Sequence, residues 1–243
     1  MHWPPISLRQ RLPLPAETDR IFCGTKRPGL PGLFSFRPIA TMINVLQSLL
    51  ALIFPRACIG CDRSGVLLCE RCARAGGACQ RIVLGGIAMT AALPYAGALR
   101  AAIVEFKRGR RAFVSDFAAL VAPLVDDGTI LVPIPTTRRR IAERGYDQTV
   151  LLARALRAAR GIGVAEMLCR PRSAAQHGRS RSERLAAHGR FAVKPASIAS
   201  AGTLVLFDDV RTTGATLIDA AKALHDGGYD VRNALTLAWT PFI

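Results

Sequence analysis

The chain has 243 residues, 50% of them hydrophobic, with 33 Lys and Arg against 17 Asp and Glu, a formal net charge of +16 and a pI near 10.9. That length and apolar content allow one α/β domain with a small appendage and exclude a chain disordered throughout. A field of this sign favours polyanions, phosphorylated substrates or an anionic surface, although an arginine-rich composition with a solvated basic face gives the same totals.

Residues 1–41 hold seven of the fifteen prolines with little periodicity, and are expected to be a disordered tail. They lack the continuous apolar core of a signal peptide. Met42 precedes an amphipathic helix over 43–54, closed by Pro55, which makes Met42 an alternative start of the native protein. That helix is the longest apolar run. Asn44, Gln47 and Ser48 interrupt it and it is too short for a bilayer, so no membrane span is expected.

The helix and the segment after it, residues 42–80, are expected to form a small metal-binding module. Cys58-x-x-Cys61 and Cys69-x-x-Cys72 are separated by seven residues. Each pair can fold as a knuckle that puts both sulfurs on one metal, and two pairs complete a tetrahedral S₄ set. Zinc is the default for four thiolates, with an iron–sulfur site or redox-active dithiols as alternatives. Gly60 suits the tight turn inside the first knuckle. Seven cysteines used in this way point to a reducing cytoplasm rather than to disulfides; Cys23, Cys79 and Cys169 have no assigned role.

The main domain is expected over 81–243. The pattern predicts a strand at 87–95, a helix at 97–106 followed by the basic cluster Lys107, Arg108, Arg110 and Arg111, and a helix at 113–125. A short strand at 129–134 runs into Pro133-Ile134-Pro135-Thr136-Thr137, then Arg138, Arg139 and Arg140. A helix at 149–160, a strand at 163–169 and an arginine-rich mobile loop at 170–190 come next, with a final strand near 234–239. Strands alternating with helices indicate a parallel sheet with covered faces. Between Arg138 and Arg190 thirteen arginines stand against four acids, a density suited to a phosphate backbone or to pyrophosphate. Aromatic interleaving is thin there, so base stacking is weakly supported.

The most informative stretch is 203–216, TLVLFDDVRTTGAT. Its first five residues read as a buried strand, with Asp208 and Asp209 where that strand is expected to end. Thr212-Thr213-Gly214-Ala215-Thr216 then opens a helix carrying Leu217, Ala220, Ala221 and Leu224 on one face and ending near Gly227-Gly228. Such a turn presents backbone N–H groups, hydroxyls and a helix N-terminus to a phosphate. Two carboxylates can accept both hydroxyls of a ribose diol. Capping alone explains one Asp or Thr at such a boundary. Two acids, three threonines and a glycine in nine residues exceed it. No Gly-Lys-Ser/Thr follows, so this is not a Walker A loop.

This stretch resembles the phosphoribosyl-pyrophosphate (PRPP) signature of type I phosphoribosyltransferases. The resemblance implies that Asp208 and Asp209 hold the ribose hydroxyls and that Arg211, Thr212, Thr213, Gly214, Ala215 and Thr216 hold the 5-phosphate. A wider set, in chain order, is similar to the ComF family of competence-associated proteins. It comprises the cysteine pairs, Leu99-Arg100, Phe106-Lys107, Val132-Pro133-Ile134-Pro135 and Arg144-Gly145-Tyr146-Asp147-Gln148. Gln176, Ser182-Glu183-Arg184, Phe191 and Phe207-Asp208-Asp209-Val210 with Thr212-Thr213-Gly214 complete it. The likeness runs from about Pro55 to Trp239; Ala187 and Asp147 stand where asparagine is usual.

That family implies an α/β fold: a type I phosphoribosyltransferase-like parallel sheet flanked by helices, with a small N-terminal zinc module built on the four paired cysteines. It implies a PRPP-like pocket with Mg²⁺, in which Pro135, Thr136 and Thr137 cradle pyrophosphate while Arg144, Gln176 and Arg184 close over the site. It also implies a role in handling single-stranded transforming DNA beside a competence helicase, with Arg138, Arg139 and Arg140 as nucleic-acid contacts. A phosphoribosyltransferase of nucleotide salvage is the alternative. No general base for an acceptor can be named from the sequence.

Overall fold

The computed structural model describes residues 56–171, 190–194 and 202–241. All of them fall in one unit, Gln47–Ile243. The expected tail, the helix at 43–54, Gln176 and Arg184 lie outside the described residues.

The sheet grows outward from a strand that the sequence marks as fully apolar. β3 (Thr129–Pro133) is buried at every position, as a central parallel strand covered on both faces must be. β2 (Ile87–Pro94), β4 (Gly163–Val164), β7 (Thr203–Arg211) and β8 (Asn233–Trp239) lie parallel to it, and β1 (Gln80–Leu84) closes one edge antiparallel. The strand order is β1-β2-β8-β7-β3-β4. Gly85 and Gly86, with φ of +58° and +78°, make the two-residue turn between β1 and β2, where both positions need the left-handed region.

Alternation along the strands sends side chains to two cores. Beyond the short α1 (Glu70–Arg74) of the cysteine segment, Leu131, Phe207 and Leu237 face α2 (Gly97–Lys107), α3 (Val114–Val121) and α5 (Gln148–Arg160), where Phe106 meets Phe117 edge-on at 5.4 Å. Ile130, Val132, Leu204 and Leu206 face α6 (Ala215–Asp226) through its stripe of Leu217, Ala220, Ala221 and Leu224. Helices therefore cover both faces of a mostly parallel sheet, as the alternation of elements indicates.

The chain leaves β3 in one direction, through α4 (Arg138–Arg144) and α5 to β4. It leaves β7 in the other, through α6 to β8. Connections that diverge from neighbouring strands open a crevice at their carboxyl ends, the topological switch point of an open α/β sheet. Both Pro135-Thr136 and Asp208-Asp209 emerge there.

Several elements differ from the sequence expectation. β7 runs on through the acidic pair to Arg211, because β8 keeps pairing with it through Val210↔Ala238 and Arg211↔Trp239. The helix expected at 113–125 is α-helical only over Val114–Val121, between 3₁₀ turns at Arg111–Phe113 and Ala122–Leu124; Pro123 lacks the N–H that would extend it. The strand expected at 163–169 is two pieces. β4 joins the main sheet, while β5 (Leu168–Cys169) pairs antiparallel with β6 (Ala192–Val193) in a separate two-stranded ribbon. The triple arginine opens a helix, α4, capped by Thr137, whose hydroxyl accepts the Arg140 N–H at 3.4 Å.

Candidate ligand pocket and metal centre

Asp208 and Asp209 lie in β7 just before its last two pairs with β8, and adjacency gives them opposite environments. Asp209 Oδ2 forms a salt bridge with Lys107 Nζ at 2.8 Å, the lysine arriving from the end of α2. Asp208 Oδ1 accepts the backbone N–H of Asp209 at 2.8 Å and has no salt bridge among the described residues. Protein packs closely around the Asp208 carboxyl although it keeps some solvent contact on the cavity side. That desolvation, and then the charge of Asp209, raise its pKa well above the usual carboxylate range.

The two carboxylates form one wall of a cavity of about 410 Å³. Thr212 and Thr216 line it from the turn into α6, and Ile134, Pro135 and Thr136 line it from the end of β3. Four cations, Lys107, Arg140, Arg144 and Arg170, stand around the two acids. Such a mixture suits a ligand with strongly anionic groups at its ends and hydroxyls between them.

The turn itself depends on Gly214, which has φ +80° and precedes α6. A Cβ there would lie 2.9 Å from Leu84 Cδ2 and 3.2 Å from Met89 Sδ, so the turn is pressed onto the β1–β2 hairpin. Its carbonyl accepts the N–H groups of Leu217 and Ile218, both at 3.0 Å. Thr213, Gly214 and Ala215 belong to this turn without lining the cavity, and the Ala215 N–H donates to Thr213 Oγ1 at 3.4 Å. Arg211 turns away into the interior. It is 2% exposed, its Nη2 donates to Gln80 Oε1, and its Nε and Nη1 have no partner among the described residues. Burial lowers its pKa.

The opposite wall is held by Asp147. Its Oδ2 accepts the Thr136 N–H at 2.8 Å, and its Oδ1 caps α5 by accepting the N–H groups of Thr149 and Val150 at 3.0 and 3.2 Å. Both oxygens are thus acceptors, a task suited to a carboxylate. Arg170 Nε donates to the Pro135 carbonyl at 2.8 Å, and its guanidinium lies over the Phe191 ring at 4.7 Å. Burial lowers the Arg170 pKa while Asp208 pulls it back.

The cavity therefore gathers Asp208, Asp209, Thr212, Thr216, Pro135, Thr136, Arg140 and Arg144 from the sequence-predicted set. Thr137 is the cap of α4, and Arg138 and Arg139 are exposed without lining the cavity. Arg139 pairs with Glu143 at 3.4 Å on the solvent side. Lys107, Gln148, Thr149 and Arg170 line the cavity without having been assigned a role from sequence. Lys107 sits 102 positions from Asp209, and no local pattern could join them. A smaller cavity of about 170 Å³, with Asp126 and Asp127, lies at the amino ends of the strands and holds none of the predicted residues.

The second site is the cysteine group. The Sγ atoms of Cys58, Cys61, Cys69 and Cys72 all lie within 4.8 Å of one another, with Cys61 and Cys69 at 3.7 Å. Tetrahedral zinc with bonds of about 2.3 Å would separate its sulfurs by about 3.8 Å, so the group can hold a metal such as zinc. The backbone donates into it: Cys69 N–H and Gly60 N–H reach Cys58 Sγ at 3.3 and 3.5 Å. Burial pushes the Cys58 thiol up, but these N–H groups outweigh it and bring the pKa to about 6. Hydrogen bonds that the Cys72 thiol donates to the Cys61 and Cys69 sulfurs, with burial, push Cys72 up to about 12. One thiol driven down and another up is the pattern of four sulfurs competing for negative charge, and a bound cation lets all four ionise together. A Cβ on Gly60 would lie 2.8 Å from Ala98 Cβ and 3.0 Å from Cys72 Sγ. The knuckle thus packs onto α2, and Asp116 of α3 accepts the Leu67 and Leu68 N–H groups at 2.9 and 3.0 Å.

Among the described residues no helix is long and apolar enough to cross a membrane. No protein-family model matches the chain. It is similar to the competence protein ComFC of Bacillus subtilis (strain 168), 36% identical over 118 residues. The match covers 48% of this chain and 47% of that protein, so the chain spans about half the length of the curated relative it matches. This similarity supports an assignment to the ComF family.

Proposed function

Starting from the ComF-family assignment, we propose that the cavity at the switch point binds PRPP on a type I phosphoribosyltransferase-like domain. The observation that supports this most is the convergence of Asp208-Asp209, the Thr212–Thr216 turn and the Pro135-Thr136 loop on one cavity of about 410 Å³ rimmed by four cations. In this reading the carboxylates accept the ribose hydroxyls. Thr212, Thr216 and the N-terminal turn of α6 take the 5-phosphate, with the buried Arg211 charge adding positive potential from behind. Thr136, Arg140, Arg144 and Arg170 face the pyrophosphate.

Asp208 fits a ligand-binding role on its own energetics. A carboxyl whose ionised form is disfavoured by burial and by a neighbouring acid gains most when a cation or hydroxyl donors arrive. Asp208 would help to hold a Mg²⁺ that accompanies PRPP, which would supply charge neutralisation to the pyrophosphate. The chain's own part is to orient the diol, hold the phosphate and surround the pyrophosphate with guanidinium groups.

The outer face of α4, with Arg138 and Arg139 exposed, is proposed to bind single-stranded DNA in the competence role that the relative's name suggests. Phosphoribosyl transfer in nucleotide salvage is the alternative use of the same cavity. The two are separated by following pyrophosphate release from PRPP with candidate acceptors, in the wild type and in Asp208→Asn/Asp209→Asn. Tight PRPP binding without consumption excludes the transferase. Consumption that the double variant abolishes supports it.

A further inference from the structure

The wall opposite the carboxylates contains one polar group with no partner. Gln148 opens α5, lines the cavity and is 3% exposed, yet its Nε2 has no hydrogen-bond partner among the described residues. A buried amide donor left unpaired destabilises the fold, whereas a well-packed apolar side chain of the same size would not. The backbone around it is already committed. Asp147 takes the Thr149, Val150 and Thr136 N–H groups, so the N-terminus of α5 and the β3 loop are joined through one side chain. That junction brings Gln148 to the same wall as the Pro135-Thr136 loop, and its Nε2, shielded from solvent in this conformation, is an unfilled donor that a ligand reaches once the amide turns.

We propose that Gln148 reads the pyrophosphate end of the ligand, its Nε2 donating to a phosphate oxygen lying over the Pro135-Thr136 loop. This rests on the PRPP reading of the cavity and adds a neutral amide donor beside the guanidinium groups of Arg140, Arg144 and Arg170. An uncharged amide places a hydrogen bond without adding charge, which fixes orientation more than attraction.

The test uses the full chain and three probes: PRPP with Mg²⁺, inorganic pyrophosphate, and ribose 5-phosphate. Gln148→Met keeps length and removes the donor. It is expected to weaken PRPP and pyrophosphate about tenfold, leave ribose 5-phosphate unchanged, and leave the melting temperature unchanged or higher. Gln148→Glu, which sets a carboxylate against the pyrophosphate, is expected to lose more. Unchanged PRPP affinity in Gln148→Met overturns the proposal. So does an equal loss for ribose 5-phosphate, or a fall in melting temperature that parallels the loss of every ligand, since either marks a structural role. A wild type that binds no PRPP removes the reading of the cavity itself, a result distinct from wild-type binding that the Gln148 variants fail to alter.

Discussion

The cysteine cluster and the carboxylate pocket are both announced by short motifs, but they differ in how far the chain must travel to build them. The four sulfurs come from Cys58 to Cys72, and backbone N–H groups from the same segment complete their surroundings. The pocket takes Lys107 from α2, Thr136 from the β3 loop, Gln148 from α5 and Asp208 from β7. Their charges differ as well. The cluster could hold one cation, which would let its thiols ionise together. The pocket is open, with Asp209 answered by Lys107 and Asp208 answered by no salt bridge among the described residues. The contrast is the one expected between a structural metal site and a pocket built for a ligand that comes and goes.

Removing a cluster ligand is the largest perturbation this contrast predicts. Cys69→Ser is expected to lower bound zinc from one per chain to near zero by elemental analysis, and to cost roughly 4 kcal/mol or more in a denaturant titration. A variant that loses the metal with unchanged stability would make the cluster a functional rather than a structural centre.

Asp208→Asn is expected to act in two directions at once. The folded-state pKa of Asp208 is raised, so its contribution to stability is fully present below the unfolded carboxyl value of about 4 and is lost as pH rises through the folded value. The asparagine variant should therefore melt higher than wild type at pH 7, with the advantage shrinking towards pH 4, while PRPP affinity falls about a hundredfold or more. Lower stability at pH 7 would mean that Asp208 is a structural acid.

The smallest effect expected belongs to the outer face of α4. Arg139→Ala should leave PRPP binding untouched, and should lower the salt dependence of single-stranded DNA binding by about 0.7 in slope for one lost phosphate contact. Weakened PRPP binding would show that α4 serves one site rather than two.

Much of this was legible from sequence because the relevant signals are local. β3 is a buried apolar run, α6 carries its apolar stripe at helical spacing, and the Cys-x-x-Cys pairs state their own geometry. What was not legible depends on neighbours. β7 extends past Asp208-Asp209 because β8 supplies hydrogen bonds as far as Trp239, overriding the turn-like character of two acids. β1 was missed because its five residues form a strand only against β2, across the Gly85-Gly86 turn. Lys107 and Arg170 read as members of basic clusters, and their roles appear only when the crossovers carry them to the same crevice. Arg211 reads as a member of the phosphate turn but ends in the interior, because the last position of β7 still follows the strand.

The central claim is that the switch-point cavity is a PRPP site, and equilibrium titration of PRPP into the full chain with Mg²⁺ tests it most directly. Saturable one-to-one binding by the wild type, reduced beyond detection in Asp208→Asn/Asp209→Asn while the metal content of the cysteine cluster stays at one per chain, is the result predicted. Equal PRPP affinity in the wild type and the double variant would contradict it.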